Sequence, residues 1–164
     1  MFKVISVLGA TTTLTACIVV ETPNHSPAPQ IIIQPNSGTS SPHTYLKKVK
    51  IKTYDGRCLD LSGSNQRDLL AHRCHYGKNQ RFTFHPDRSI QVQGKCLDVA
   101  GQQQQNGAEV IGYRCNGQKN QKWYIDGQRI RSLDTGKCLD IYNGKMQMYH
   151  CSQNRGQKFN LIAL

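Results

Sequence analysis

Acidic side chains are scarce in this sequence. Ten Asp and Glu stand against 21 Lys and Arg, a formal charge of +11. Glycoside hydrolysis needs two juxtaposed carboxylates; nine acids remain beyond residue 43, and three of those recur inside one short motif. A catalytic pair is therefore not expected. Aromatics are also few, at 7% with one Trp, and hydrophobic residues reach only 37%. Such a chain builds a small core, of the kind that covalent staples often support. The apolar run Val4–Ala16 is too short to cross a bilayer as a helix. No stretch keeps a 3.6-residue period, and no P-loop, nucleophile elbow or H-E-x-x-H is present. The sequence points to a binding protein rather than an enzyme, with no cofactor.

Proline is nearly absent after residue 43, where only Pro86 occurs. The other five crowd into residues 18–43 with Ser, Asn and Gly, a composition that stays extended. Ahead of them, Lys3, the short apolar run and "LTAC" ending at Cys17 read as an export signal. This end resembles the lipobox of bacterial lipoproteins, which implies cleavage after residue 16 and lipidation of Cys17. Several acyl chains on one residue anchor stably where a single chain is marginal. Residue 18 is Ile rather than the Asp that favours inner-membrane retention, so the expected location is the outer membrane. Residues 1–16 are thus expected to be a signal peptide, 17–43 a lipidated flexible tether, and 44–164 the folded domain.

That domain repeats itself. "GRCLD" at 56–60 returns as "GKCLD" at 94–98 and 136–140, and each copy ends in Gln-x-aromatic: Gln80/Phe82, Gln121/Trp123 and Gln157/Phe159. Repeats at such a period mark a modular fold. Six cysteines fall two per copy, at 58 and 74, 96 and 115, 138 and 151, leaving Cys17 for lipid. Six cysteines allow fifteen connectivities, and the repeat favours pairing inside each copy. An exported chain permits those bonds. "KVKIKTY" alternates lysines with Val49 and Ile51, the period of a half-buried strand, and "RFTF", "SIQVQ", "KWYI" and "QRIRSL" are similar runs. Three four-stranded units are too few for a propeller, and they lack the distinct caps of a solenoid. Three units closed about a pseudo-threefold axis remain.

C-L-D followed by N-Q-x-W/F, three times at about forty residues, resembles the ricin-type β-trefoil lectin family. The resemblance covers 44–164 and implies an all-β fold, a β-trefoil with Phe82, Trp123 and Phe159 in the core. It also implies carbohydrate pockets. A carboxylate accepts two hydroxyls, a ring stacks on the sugar's C–H face, and amides fix its orientation. On the family pattern the second copy offers Asp98, Tyr113, Asn120 and Gln121, with Ile111 where a Gln is expected. The third offers Asp140, Gln147, Tyr149 and Gln157, with Gly156 for Asn. The first offers Asp60, His72, Asn79 and Gln80, with Leu70 for Gln. The second copy is the first choice, then the third. The partner expected is a glycan or glycoconjugate, acidic ones included, and the expected role is that of a membrane-anchored lectin or adhesin.

Other readings compete. Lipid-anchored trefoils also resemble the A and C subunits of cytolethal distending toxins, which implies a receptor-binding or assembly subunit with a toxin partner. All cations but Lys3 and all acids but Glu21 lie in 44–164, so the domain carries the whole +11 and would attract polyanions. A specific nucleic-acid partner does not suit an exported domain. "HRCH" sets His72 and His75 beside Cys74, but Cys74 has a disulfide partner, so no metal is expected there.

Overall fold

The computed structural model describes residues 48–164. The expected signal peptide (1–16), Cys17, the tether (17–43) and residues 44–47 of the domain lie outside the described residues.

Twelve short strands and four single 3-10 turns make up this part, four strands to a copy. The first copy holds β1 (Val49–Thr53), β2 (Cys58–Leu61), β3 (Leu69–His72) and β4 (Thr83–Phe84). The second holds β5 (Ile90–Val92), β6 (Lys95–Val99), β7 (Val110–Arg114) and β8 (Trp123–Asp126). The third holds β9 (Arg129–Ser132), β10 (Cys138–Tyr142), β11 (Lys145–Tyr149) and β12 (Phe159–Ala163). The alternation of "KVKIKTY" is realised in β1, where Val49, Ile51 and Thr53 are buried and both lysines between them are not.

The repeated pentapeptide now has a physical reading, residue by residue. Its glycine takes a left-handed backbone in every copy, with φ of 86° at Gly56, 74° at Gly94 and 68° at Gly136, a conformation costly for any residue with a Cβ. Each then turns the chain into β2, β6 or β10. The Cys forms a disulfide inside its own copy: Cys58–Cys74, Cys96–Cys115 and Cys138–Cys151. Each bond contributes about 3 kcal/mol on the chain-entropy account. The Leu (Leu59, Leu97, Leu139) is fully buried in the core, where such a side chain contributes about 1.5–3 kcal/mol. The Asp is buried too, and becomes the centre of each candidate site.

Outer strands join one copy to the next: β4 pairs with β5, β8 with β9, and β12 returns to β1 over Val49↔Ala163 through Thr53↔Phe159. Within copies, Val49 and Phe82 exchange backbone bonds, Trp123 donates to the Arg88 carbonyl and Phe159 to that of Gln128. Six strands thereby close into a barrel. The hairpins β2–β3, β6–β7 and β10–β11 meet one another in a ring, through Asp68↔Ile111, Glu109↔Gln147 and Lys145↔Leu70. Each bridge joins the residue four before one copy's second cysteine to the residue six before another's. This is the pseudo-threefold closure of a β-trefoil. Phe82, Trp123 and Phe159 are buried in one core cluster, and the Trp123 indole N–H donates to the Leu97 carbonyl at 3.0 Å.

Candidate functional site

Each copy brings its C-L-D carboxylate against the short 3-10 turn that precedes the core aromatic: Lys78–Gln80, Lys119–Gln121 and Arg155–Gln157. The glutamine ending each turn has the same job three times. Its carbonyl oxygen accepts the N–H of the residue after the second cysteine (His75, Asn116, Ser152) at 2.8–2.9 Å. Its amide donates at 2.9 Å to the carbonyl of the residue before that cysteine (Arg73, Arg114, His150). Gln80 and Gln121 also donate to Asp60 at 2.7 Å and to Asp98 at 2.6 Å. The sequence assigned Gln80, Gln121 and Gln157 to ligand contact. That is corrected here: all three are fully buried with both ends of the amide engaged, so they clamp the chain beneath the site.

The copies differ above that clamp. In the first, Asp60 is covered. Asn79 donates to Oδ1 at 2.8 Å, and His75 Nε2 lies 3.1 Å from Oδ2, beside Gln80. His72 stands exposed at the rim, and Leu70 is half-buried below it.

In the second copy the outer face is open. Asp98, Ile111, Tyr113 and Asn120 line a cleft of about 410 Å³, together with Gly101, Gln102, Arg114 and Asn116. Tyr113 is 44% exposed, whereas Asp98 at the base is 4% exposed. Burial lifts the Asp98 carboxyl above its ordinary value of 3.8, opposed by the Gln121 and Asn120 amides. Asn120 gives its N–H to the Val99 carbonyl at 3.1 Å, but its buried Oδ1 has no partner. An unpaired buried acceptor costs about 1–3 kcal/mol. The sequence reading missed Gly101, Gln102, Arg114 and Asn116. The only signal for the first two was length: residues 100–109 form a longer hairpin loop than 62–68 or 143–144, and its 3-10 turn (Ala100–Gln102) walls the cleft.

In the third copy Asp140 faces Gln147 across β10–β11, and burial again raises its carboxyl. Asp140 Oδ1 is buried without a partner. Gly156, where the family pattern has Asn, makes room for it: a Cβ there would collide with that oxygen. Tyr149 is 36% exposed and leans on the His150 ring. Gln147 lines a separate cleft of about 420 Å³ with Glu109, Tyr142 and Lys145, which neither Asp140 nor Tyr149 reaches. Of these two clefts, that of the second copy gathers acid, ring and amide together.

Comparison with known proteins bears on the family and the fold. "Probable lipoprotein EnvE" of Salmonella typhimurium is 41% identical over 90 residues, covering 55% of this chain and 51% of that protein. The chain thus spans about half the length, or less, of the curated relatives it matches. The agglutinin of Abrus precatorius superposes with a TM-score of 0.66 at 23% identity, covering 77% of this chain and 52% of that one. The designed threefold-symmetric protein ThreeFoil does so with 0.64 at 23%, over 71% and 99%. At those identities the two structures speak to the fold. The family model "Ricin-type beta-trefoil lectin domain" matches residues 47–161, and the chain belongs to that family.

Proposed function

We propose that the protein binds glycans through the cleft of its second copy. The observation that carries this reading is the unmet acceptor of Asn120 beside the buried Asp98 carboxylate, beneath the exposed face of Tyr113. Two hydroxyls of one sugar would donate to Asp98, a third group to Asn120, and the ring would lie on Tyr113. The Arg114 guanidinium, 5.9 Å from the Tyr113 ring centre, adds positive charge at the rim and favours an acidic sugar or a phosphorylated one. The Asp is held by Gln121 rather than aimed at a second carboxylate, which supports a binding role over hydrolysis.

Cys17, and the likeness to EnvE, described as a probable lipoprotein, support a cellular setting in the envelope. A lipid-anchored lectin of the bacterial envelope fits both. A glycan array probed with neutral and acidic oligosaccharides tests the binding reading. Loss of array binding on Asp98→Asn, with melting unchanged, is the expected result. Binding that survives both Asp98→Asn and Tyr113→Ala would move the site elsewhere. Palmitate labelling of the chain, and its loss in Cys17→Ser, tests the anchor.

A further inference from the structure

The first copy keeps the frame of a sugar pocket but fills it differently. Three positions there depart from both sister copies, and all three converge on one carboxylate. His72 replaces the tyrosine of the other copies (Tyr113, Tyr149), and His75 stands where they have Asn116 and Ser152. Gly77 stands where they have Gln118 and Asn154. A Cβ at Gly77 would come within 2.6 Å of the His75 ring, so the glycine is what lets that imidazole turn inward.

We propose that Asp60, His72 and His75 form a binding site for one divalent transition-metal ion of the Zn²⁺ class. One ligand atom from each lies within 4.8 Å of the others. Metal–ligand bonds of about 2.0–2.2 Å bring such atoms to roughly 3.3 Å apart in a tetrahedron. The exposed His72 side chain is free to supply that contraction. Two imidazoles and a carboxylate are a common three-ligand set for this class of ion, with water as the fourth ligand.

The surroundings suit the role. Gln80 and Asn79 hold Asp60 from beneath, as supporting groups orient a metal-ligating carboxylate, and the ion would replace only the His75 contact. His72 Nδ1 lies 3.4 Å from the Arg73 carbonyl, which favours a proton on Nδ1 and a free lone pair on Nε2. His75 requires one rearrangement. Its Nδ1 accepts the Gly77 N–H at 2.9 Å, so without metal its proton sits on Nε2 and points at Asp60. Metal entry takes the Nε2 lone pair, the ring takes its proton at Nδ1, and the Gly77 N–H turns to water. No net proton is released, and two half-buried hydrogen bonds, His75 to Asp60 and Gly77 to His75, are exchanged for the metal bonds. Disulfide-bound Cys58 and Cys74 supply no thiolate, so the ligand set is nitrogen and oxygen only.

The test is Zn²⁺ titration of the untagged full chain by calorimetry, with Co²⁺ as a visible-absorption probe. One equivalent bound is expected, with a tetrahedral Co²⁺ band. His72→Ala and His75→Ala should each weaken binding at least about ten-fold and erase the band. His75→Asn, which copies Asn116, serves should the alanine variant unfold. Absence of uptake by the native chain overturns the proposal. So does native uptake by a folded His72→Ala/His75→Ala protein, which would place the ion on His25, His43, His85 or His150. Glycan binding at Asp98 is expected to persist in the presence of a chelator, so the two sites fail or stand separately.

Discussion

The first and second copies share a strand, a disulfide and a glutamine clamp, yet present opposite surfaces. In the first, every acceptor on Asp60 is occupied by the protein's own side chains, His75 included. In the second, the same carboxylate opens into a cleft with an acceptor still unmet. The groups that build the frame are buried and repeated; those that decide what it binds are three or four positions at the rim. A repeat can thus keep its fold under strict constraint while each copy's chemistry drifts independently.

The comparison predicts equality in the core. Trp123→Ala and Phe82→Ala should each destabilise by about 3–5 kcal/mol, measured by chemical denaturation. A large difference between them would break the idea of equivalent frames.

It predicts inequality at the carboxylates. Asp98→Asn should weaken glycan binding by about 1.5–3 kcal/mol, roughly ten- to a hundred-fold. The fold should hold, because the new amide oxygen still accepts from Gln121. Asp60→Asn should leave glycan affinity unchanged, since the outer face of Asp60 is already covered. Equal losses from both would erase the distinction between the copies.

Acidity sharpens it further. Hydroxyl binding needs the ionised form of Asp98, and burial raises its folded value above 3.8. Affinity should be full above that raised value and fall as pH drops through it, at a higher pH than an exposed Asp would give. Titrating affinity against pH checks this, and a profile flat down to 3.8 would contradict it. The smallest effect belongs to the ring. Tyr113→Ala should cost about 0.5–1.5 kcal/mol of binding, and Tyr113→Phe much less.

Most of the frame was legible in the sequence, because it is written in covalent and apolar repetition. Cys–Leu–Asp fixes a bond, a core residue and a carboxylate at one stroke, and the three disulfides pair as the repeat suggested. The direction of a polar side chain was not legible. Gln121 and Asn120 are neighbours of similar chemistry, but one has its whole amide engaged in the clamp and the other keeps a free oxygen. Only the path of the 3-10 turn decides between them. The wall of the cleft was hidden for another reason: Gly101 and Gln102 sit in a hairpin loop longer than its counterparts 62–68 and 143–144. The gathering at Asp60 depends on a glycine two residues from His75, whose effect is steric and appears only once the ring is placed.

The pairing of β1 with β12, completed by the Leu164 N–H donating to the Lys48 carbonyl at 3.0 Å, sets the two ends of the domain side by side. A polypeptide whose ends touch has no obligatory starting point. A few residues joining Leu164 to Lys48, with new ends opened in the exposed stretch 103–106, would keep every disulfide inside its own copy and every strand in register. Such circular permutants are tolerated at exposed loop tips. In this domain one would also place the new chain ends beside the 3-10 turn that walls the open cleft.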